Sequence, residues 1–287
     1  MGGQMTAIAQ LAHGHGEKLD QLEAEMHRLP QASCSVRHIF APGMYIREVS
    51  IPGGTYVVTH KHRHPHLNVF VQGSGTMIMC NGTHQPMKAP MTFTGQPGRK
   101  VGYVETDLVW LNIFPTDETD IDKLEELYFD KTEEFAAAHQ QHRLAHTPAL
   151  LTHDQTDYAA VLAERNVPEA YARAVSENAD DLIPLPFGAY KVKIGPSLIE
   201  GRGVIATADI GVGEIIGAAR IGDKRTPLGR YANHSQTANA KFVNAGDRII
   251  LVALRPITGC RGGFDGEEVT VNYRDAIALN LQIGAQS

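Results

Sequence analysis

Arg230-Tyr231-Ala232-Asn233-His234-Ser235, followed by Asn239, and then Gly266-Glu267-Glu268-Val269-Thr270-Val271-Asn272-Tyr273, form two polar clusters close together in one stretch of chain. Ordinary packed cores have little use for such a combination. Upstream lies Ser197-Leu198-Ile199-Glu200-Gly201-Arg202-Gly203-Val204-Ile205-Ala206, where two glycines flank an arginine. A Gly-x-Gly turn lets main chain approach a ligand closely, because neither glycine carries a Cβ. Asn and Ser at 233 and 235 are residues that cap turns. The tyrosine at 273 has an amphipathic ring with a hydroxyl that needs a partner when buried.

In this order the three motifs resemble the SET domain, the β-rich fold of S-adenosylmethionine-dependent protein lysine methyltransferases. The resemblance covers roughly residues 185–277. It implies that Gly201, Arg202, Gly203, Arg230, Tyr231, Asn233, His234 and Tyr273 surround S-adenosylmethionine, with Tyr273 also the catalytic phenol beside the transferring methyl. Ala238 replaces the family's usual Pro, Val271 stands where some members carry an earlier Tyr, and Asn272 replaces a frequent Asp. Tyr190, Phe242 and Phe264, with Tyr231, are the aromatic candidates for walls of a lysine channel. Many members close that channel with a cysteine-rich zinc segment, whereas Arg274 to Ser287 contain no Cys. The lid then comes from this tail, from the helices before the domain, from the N-terminal module or from a second subunit.

Methyl transfer from a sulfonium to an amine is an in-line displacement, so positioning supplies most of the gain. The lysine must attack as a neutral amine. Burial of an ammonium near a cationic sulfonium lowers its pKa by desolvation and like charge, so no dedicated base is needed.

Residues 36–115 have a different character. β-branched and aromatic residues alternate with polar ones, and Pro52-Gly53-Gly54, Gly73-Ser74-Gly75, Asn81-Gly82 and Gln96-Pro97-Gly98 punctuate them. That is the pattern of an antiparallel β-sandwich or barrel. Within it, Gly54, His60, His62, His66 and Gly73 resemble the first motif of the cupin family, with His66 where a Glu is usual. The second cupin motif keeps only a Pro/Gly turn, with Val101 or Gly102 in the place of a ligand histidine.

The histidines at 60, 62, 64 and 66 share one face of an extended strand. Neighbours are about 7 Å apart and the ends about 20 Å apart, so all four meet one ion only if the chain bends, as Pro65 allows. His60, His62 and His66 are thus candidate ligands for a divalent metal such as Zn, Fe, Ni or Cu. The alternative is a packed polar face.

The chain is therefore expected to be multi-domain and mainly β: a helical segment at 1–35, a cupin-like antiparallel β-barrel at 36–117, a helical connector at 118–181 and a SET-like β-fold at 182–287. The first helix is read at 15–29 from Leu19, Leu22 and Met26, ending before Pro30. Asn166-Val167-Pro168-Glu169 marks another helix start.

The net charge of −6 argues against nucleic-acid partners, which need a basic surface, and suits a Lys-bearing protein or peptide substrate. No apolar run spans a bilayer, and the first residues lack a secretory leader. Three widely spaced cysteines imply no disulfide framework and a reducing, cytoplasmic setting. A homodimer or larger assembly follows from analogy with cupins that pair through sheet edges. Two other readings stay open: a non-enzymatic assembly protein, and a metal-dependent cupin enzyme acting on a small molecule.

Overall fold

A computed structural model describes residues 16–78, 83–145 and 150–284. Cys80 and the Asn81-Gly82 turn signal lie outside them. The protein is mainly β with a few helices. It divides into two compact units, the first comprising 1–118, 123–144 and 260–264, the second 119–122, 145–259 and 265–287.

In the first unit, helix α1 (Gly16–His27) precedes β1 (Ser35–Ala41), β2 (Met44–Ile51), β3 (Tyr56–Val58), β4 (Lys61–His62), β5 (His66–Ile78), β6 (His84–Lys88), β7 (Met91–Gly95) and β8 (Val101–Pro115). All of these strands except β4 form a curled half-barrel sheet in the order β1-β2-β8-β5-β6, with β3 also on β8 and β7 also on β5. The pairing is antiparallel throughout. Shifts of register between Phe70 and Gly75 bend β5 against β8, as bulges do. At Gly73, with φ +88°, a Cβ would lie 2.2 Å from the carbonyl oxygen of Asp107, so only glycine fits this crossing. Val36, Val49, Phe70, Leu108 and Trp110 pack the inner face. Leu19, Leu22 and Met26, the residues that predicted α1, gather with Ile78, Val101 and Val58.

The segment expected as a single helical connector is shared between the units. It contains α2 (Ile121–Tyr128), a short β9 (Phe129–Asp130) paired with β4, α3 (Glu133–Ala145), α4 (Leu150–Glu164) and α5 (Glu169–Glu177). Pro168 is the N-cap of α5, in extended geometry, as the Pro-Glu signal suggested.

The second unit holds β10 (Gly188–Tyr190), β11 (Val192–Pro196), β12 (Arg202–Ala206), β13 (Ile215–Ile221), β14 (Lys224–Arg225), α6 (Pro227–Arg230), β15 (Asn233–His234), β16 (Ala240–Asn244), β17 (Arg248–Ala253), β18 (Glu268–Val271) and α7 (Tyr273–Gly284). Its sheet runs β11-β12-β18-β16-β17-β13-β14, with β15 also on β18. β18 is antiparallel to β12 but parallel to β15 and β16. Val271 is registered against both His234 and Ala240, so residues 235–239 loop around the end of β18. Val204, Leu228, Leu251 and Val269 are fully buried in this unit. Among the described residues no helix is long and apolar enough to cross a membrane. Among the described residues, neither Cys34 nor Cys260 is in a disulfide.

Candidate functional site

Two places concentrate polar groups, one in each unit. The denser is the junction of β12, β15 and β18 in the second unit. Asn239, 2% exposed, donates from Nδ2 to the Glu268 carbonyl at 2.8 Å and accepts at Oδ1 from the Thr270 N–H at 2.8 Å. One side chain thus replaces the ladder bonds that the looping chain forgoes. Asn233 Nδ2 lies 3.0 Å from Ser197 Oγ, 3.1 Å from the carbonyls of Glu200 and Arg202, and 2.8 Å from Glu268 Oε1. Four oxygens around one atom demand the NH2 there, which leaves Asn233 Oδ1 turned the other way. Ser197 Oγ donates to Glu268 and accepts from the Ile199 N–H. The Gly201-Arg202-Gly203 turn is thereby tied to β15.

The two glycines have different reasons. A Cβ on Gly203 would stand 2.2 Å from Glu268 Oε1 and disrupt that node. Gly201, with φ +52°, faces open space and is the side from which a ligand can approach main chain. Arg202 pairs with Asp122 at 2.9 Å and Asp120 at 3.5 Å and lies over the Tyr231 ring at 5.2 Å. Arg230 donates to the Asn178 carbonyl and sits 3.4 Å from Asp181. Its guanidinium fixes the segment before β10.

Tyr273 follows directly from this junction. Its backbone N–H donates to His234 Nδ1 at 3.1 Å, and its hydroxyl donates to the Ala232 carbonyl at 3.2 Å. Since Nδ1 accepts, the imidazole proton is on Nε2, which donates to Asp157 Oδ2 at 2.9 Å. Asp157 also receives both terminal nitrogens of Arg274, at 2.7 and 3.0 Å. Tyr158, its neighbour on α4, meets the Tyr273 ring edge-on with centroids 5.9 Å apart. Burial, with Tyr158 and Glu268 adding to it, pushes the Tyr273 phenol up to about 12. It remains a neutral donor across the physiological range.

The structure therefore gathers Gly201, Gly203, Asn233, His234 and Tyr273 around one junction, and adds Asp157, Tyr158 and Glu268. Glu268 is structural, accepting from Ser197 and Asn233. Of the proposed channel aromatics, Phe264 does not join them. Phe264 falls in the first unit, 3% exposed, against His27 at 5.0 Å and Phe135 at 5.8 Å. The two glycines before it gave no hint of which core it would join. Tyr190 is buried and donates its hydroxyl to the Pro186 carbonyl at 2.7 Å, a packed tyrosine with its polar end satisfied. Phe242 lies on β16, opposite Leu251.

In the first unit the histidine run is broken at 63–65, between β4 and β5. His64 is exposed. His62 and His66, each 4% exposed, stack with centroids 4.1 Å apart and planes 9° from parallel. His60 instead lies edge-on to Phe135 at 4.5 Å. The three candidate metal ligands thus do not converge: stacked imidazoles aim their lone pairs along parallel planes, and His60 turns toward an aromatic. Among the described residues no group of three or more His, Cys, Asp or Glu is placed to hold a metal. Burial holds the imidazole of His60 down to about 3 and that of His62 to about 2, with Arg47 and Lys100 among the positive neighbours. Both are neutral. His62 Nδ1 and His66 Nε2 are buried without a partner among the described residues.

Beside them is a cavity of about 550 Å³, bounded by α1, β2, β3, β8 and the 262–263 turn. Trp110 Nε1 and Asn112 Nδ2 both donate to Asn68 Oδ1 at 2.8 Å. This pins the polar floor of the sheet, and Trp110 and Asn112 also line the cavity.

No known family description matches the chain, and no curated protein matches it. Solved structures resemble part of it. An ectoine synthase from P. lautus is 14% identical, covering 30% of this chain and 67% of that one at a TM-score of 0.26. A cupin domain from Bordetella pertussis is 15% identical, covering 31% and 98% at 0.26. A cupin-2 domain containing protein from Shewanella frigidimarina is 10% identical, covering 32% and 89% at 0.25.

Proposed function

We propose that the second unit transfers a methyl group from S-adenosylmethionine to the side-chain amine of a lysine in a protein substrate. The supporting observation is the junction at Tyr273: β15 lies parallel to β18, and the phenol that follows is held at both its N–H and its O–H by residues 232–234. Three motifs distant in sequence meet there.

The residues present fit such a cofactor. Gly201 offers open main chain, and Asn233 keeps an acceptor oxygen suited to an ammonium while its NH2 is engaged elsewhere. These, with the backbone of His234, are the groups that would hold it. The bound cofactor supplies an electrophilic methyl on a sulfonium.

Tyr273 donates its only proton to Ala232, so its oxygen lone pairs are left to accept weak C–H···O contacts or to orient the incoming amine. A phenol held up to about 12 does not ionise near neutral pH and does not act as a base. The amine loses its proton to solvent before attack, favoured by desolvation. Helix α4, through Tyr158 and Asp157, covers the Tyr273–His234 side. It is the element of this unit best placed to serve as the lid.

The test is incubation with tritiated S-adenosylmethionine and a cell lysate, with calorimetry of the cofactor alone. Parent protein is expected to bind the cofactor and label lysine, and Tyr273→Phe to bind it while labelling at least about 100-fold more slowly. Absence of cofactor binding by the parent, or undiminished labelling by Tyr273→Phe, overturns the assignment.

A further inference from the structure

The cavity of the first unit plays no part in methyl transfer, and its chemistry points to a ligand of its own. Its volume of about 550 Å³ lies within the range of small-molecule sites. Most of the wall is apolar or aromatic, with Val36, Val49, Val57, Trp110 and Phe129 among the lining residues. Three cationic or acidic side chains also line it, and two are neutralised internally. Glu23 pairs with Arg99 at 2.8 Å, and Glu25 pairs with Arg28 at 2.7 Å.

Arg47 is the third. It is partly buried on β2, its guanidinium lies over Phe129 at 5.7 Å, and among the described residues no carboxylate pairs with it. A guanidinium without a counter-ion, half out of water, favours a carboxylate in fork geometry. His62, 4% exposed, also lines the cavity.

We propose that this cavity binds a small organic acid, an apolar or aromatic body carrying one carboxylate, with Arg47 receiving the carboxylate and the valine and aromatic walls enclosing the body. His62, stacked on His66, then serves as a polarisable part of the wall. The acid's apolar body gains from leaving water, and the single ion pair fixes its direction. Nothing in this reading depends on methyl transfer by the second unit.

The full chain is titrated calorimetrically with 4-phenylbutyrate and, separately, with its neutral amide. The acid is expected to bind once per chain, and the amide and Arg47→Met each to weaken binding by about tenfold or more, with Arg47→Lys between. Val57→Phe keeps the charge and fills the space. It is expected to abolish binding of the acid without lowering the unfolding midpoint. Failure of the parent to bind the acid overturns the proposal. Equal binding of acid and amide, or undiminished affinity in Arg47→Met that folds like the parent, overturns it too.

Discussion

The two polar regions handle buried hydrogen-bonding groups in opposite ways. At the β12–β15–β18 junction they answer one another: Asn239 serves two backbone groups, Asn233 four oxygens, Glu268 a serine and an asparagine. In the first unit, His62 Nδ1 and His66 Nε2 have no partner and Arg47 has no counter-ion among the described residues. An unmet buried polar atom lowers stability unless something else supplies its partner. The junction is therefore built to hold backbone in an unusual path, and its stability is internal. Arg47, on the cavity wall, keeps a charge that a ligand can complete. Each region should fail in its own manner when perturbed.

The largest effect is expected at Asn239. Asn239→Ala leaves the Thr270 N–H and the Glu268 carbonyl buried and unmet, at about 1–3 kcal/mol each, so the second unit should lose about 4 kcal/mol. Hydrogen exchange at Thr270 is the readout. Protection equal to the parent's would mean that the junction does not depend on its side chains.

Acid should act next, and on the first unit. His60 and His62 titrate near 6.5 in the unfolded chain but are held to about 3 and about 2 when folded. Below 6.5 the unfolded state binds the extra protons, so their contribution is lost as pH falls from 6.5 toward those values. At pH 5 the pair should remove just under about 4 kcal/mol, shared equally, because both folded values lie well below 5. Trp110 is the single tryptophan and lies in this unit, so its fluorescence in denaturant follows that unit alone. A midpoint unchanged between pH 7 and pH 5 would refute the dry, neutral histidines.

Trp110→Phe should come third, lowering stability by about 1–2 kcal/mol. It removes one donor from Asn68 Oδ1 and trims a buried ring, while Asn112 keeps the other bond. A loss as large as that of Asn239→Ala would erase the contrast between a floor with redundant bonds and a junction without them.

What could be read from the sequence follows the same division. The residues meeting at Tyr273 could be named because each motif is a few consecutive residues of unusual composition. The β-rich character of 36–115 could be read from alternation and turns. Asp157 and Tyr158 could not, since an Asp-Tyr pair on a helix looks like any solvated face until α4 brings it to His234. Arg47 was silent for a like reason: an arginine among Ile46, Glu48 and Val49 reads as the polar side of a strand, and only the curl of the sheet turns it toward a cavity. The even spacing of the histidines predicted one shared face, but the break at 63–65 exposes His64 and sends His60 to Phe135. Phe264 shows the limit most clearly. Apolarity forecast burial, while the choice of core was set by contacts with residues more than a hundred positions away.

The smallest expected effect tests whether α4 belongs to the junction or merely rests on it. Asp157 accepts from His234 and from Arg274, and the Arg274 hydrogen bond, with that of His234, holds its carboxyl down to about 2. A depressed carboxylate stabilises the fold above its unfolded value near 3.8 and loses that contribution as pH falls from there toward 2. Ion pairs of this kind contribute below about 1 kcal/mol where water reaches them. Asp157→Asn should therefore change stability little at pH 7 yet flatten the acid limb between pH 4 and 2. His234 Nε2–H would keep the amide oxygen as an acceptor, so Tyr273 should hold its place while α4 exchanges its amides faster. If α4 exchange is unchanged in Asp157→Asn, the helix is held by packing, and its carboxylate is incidental to covering the phenol.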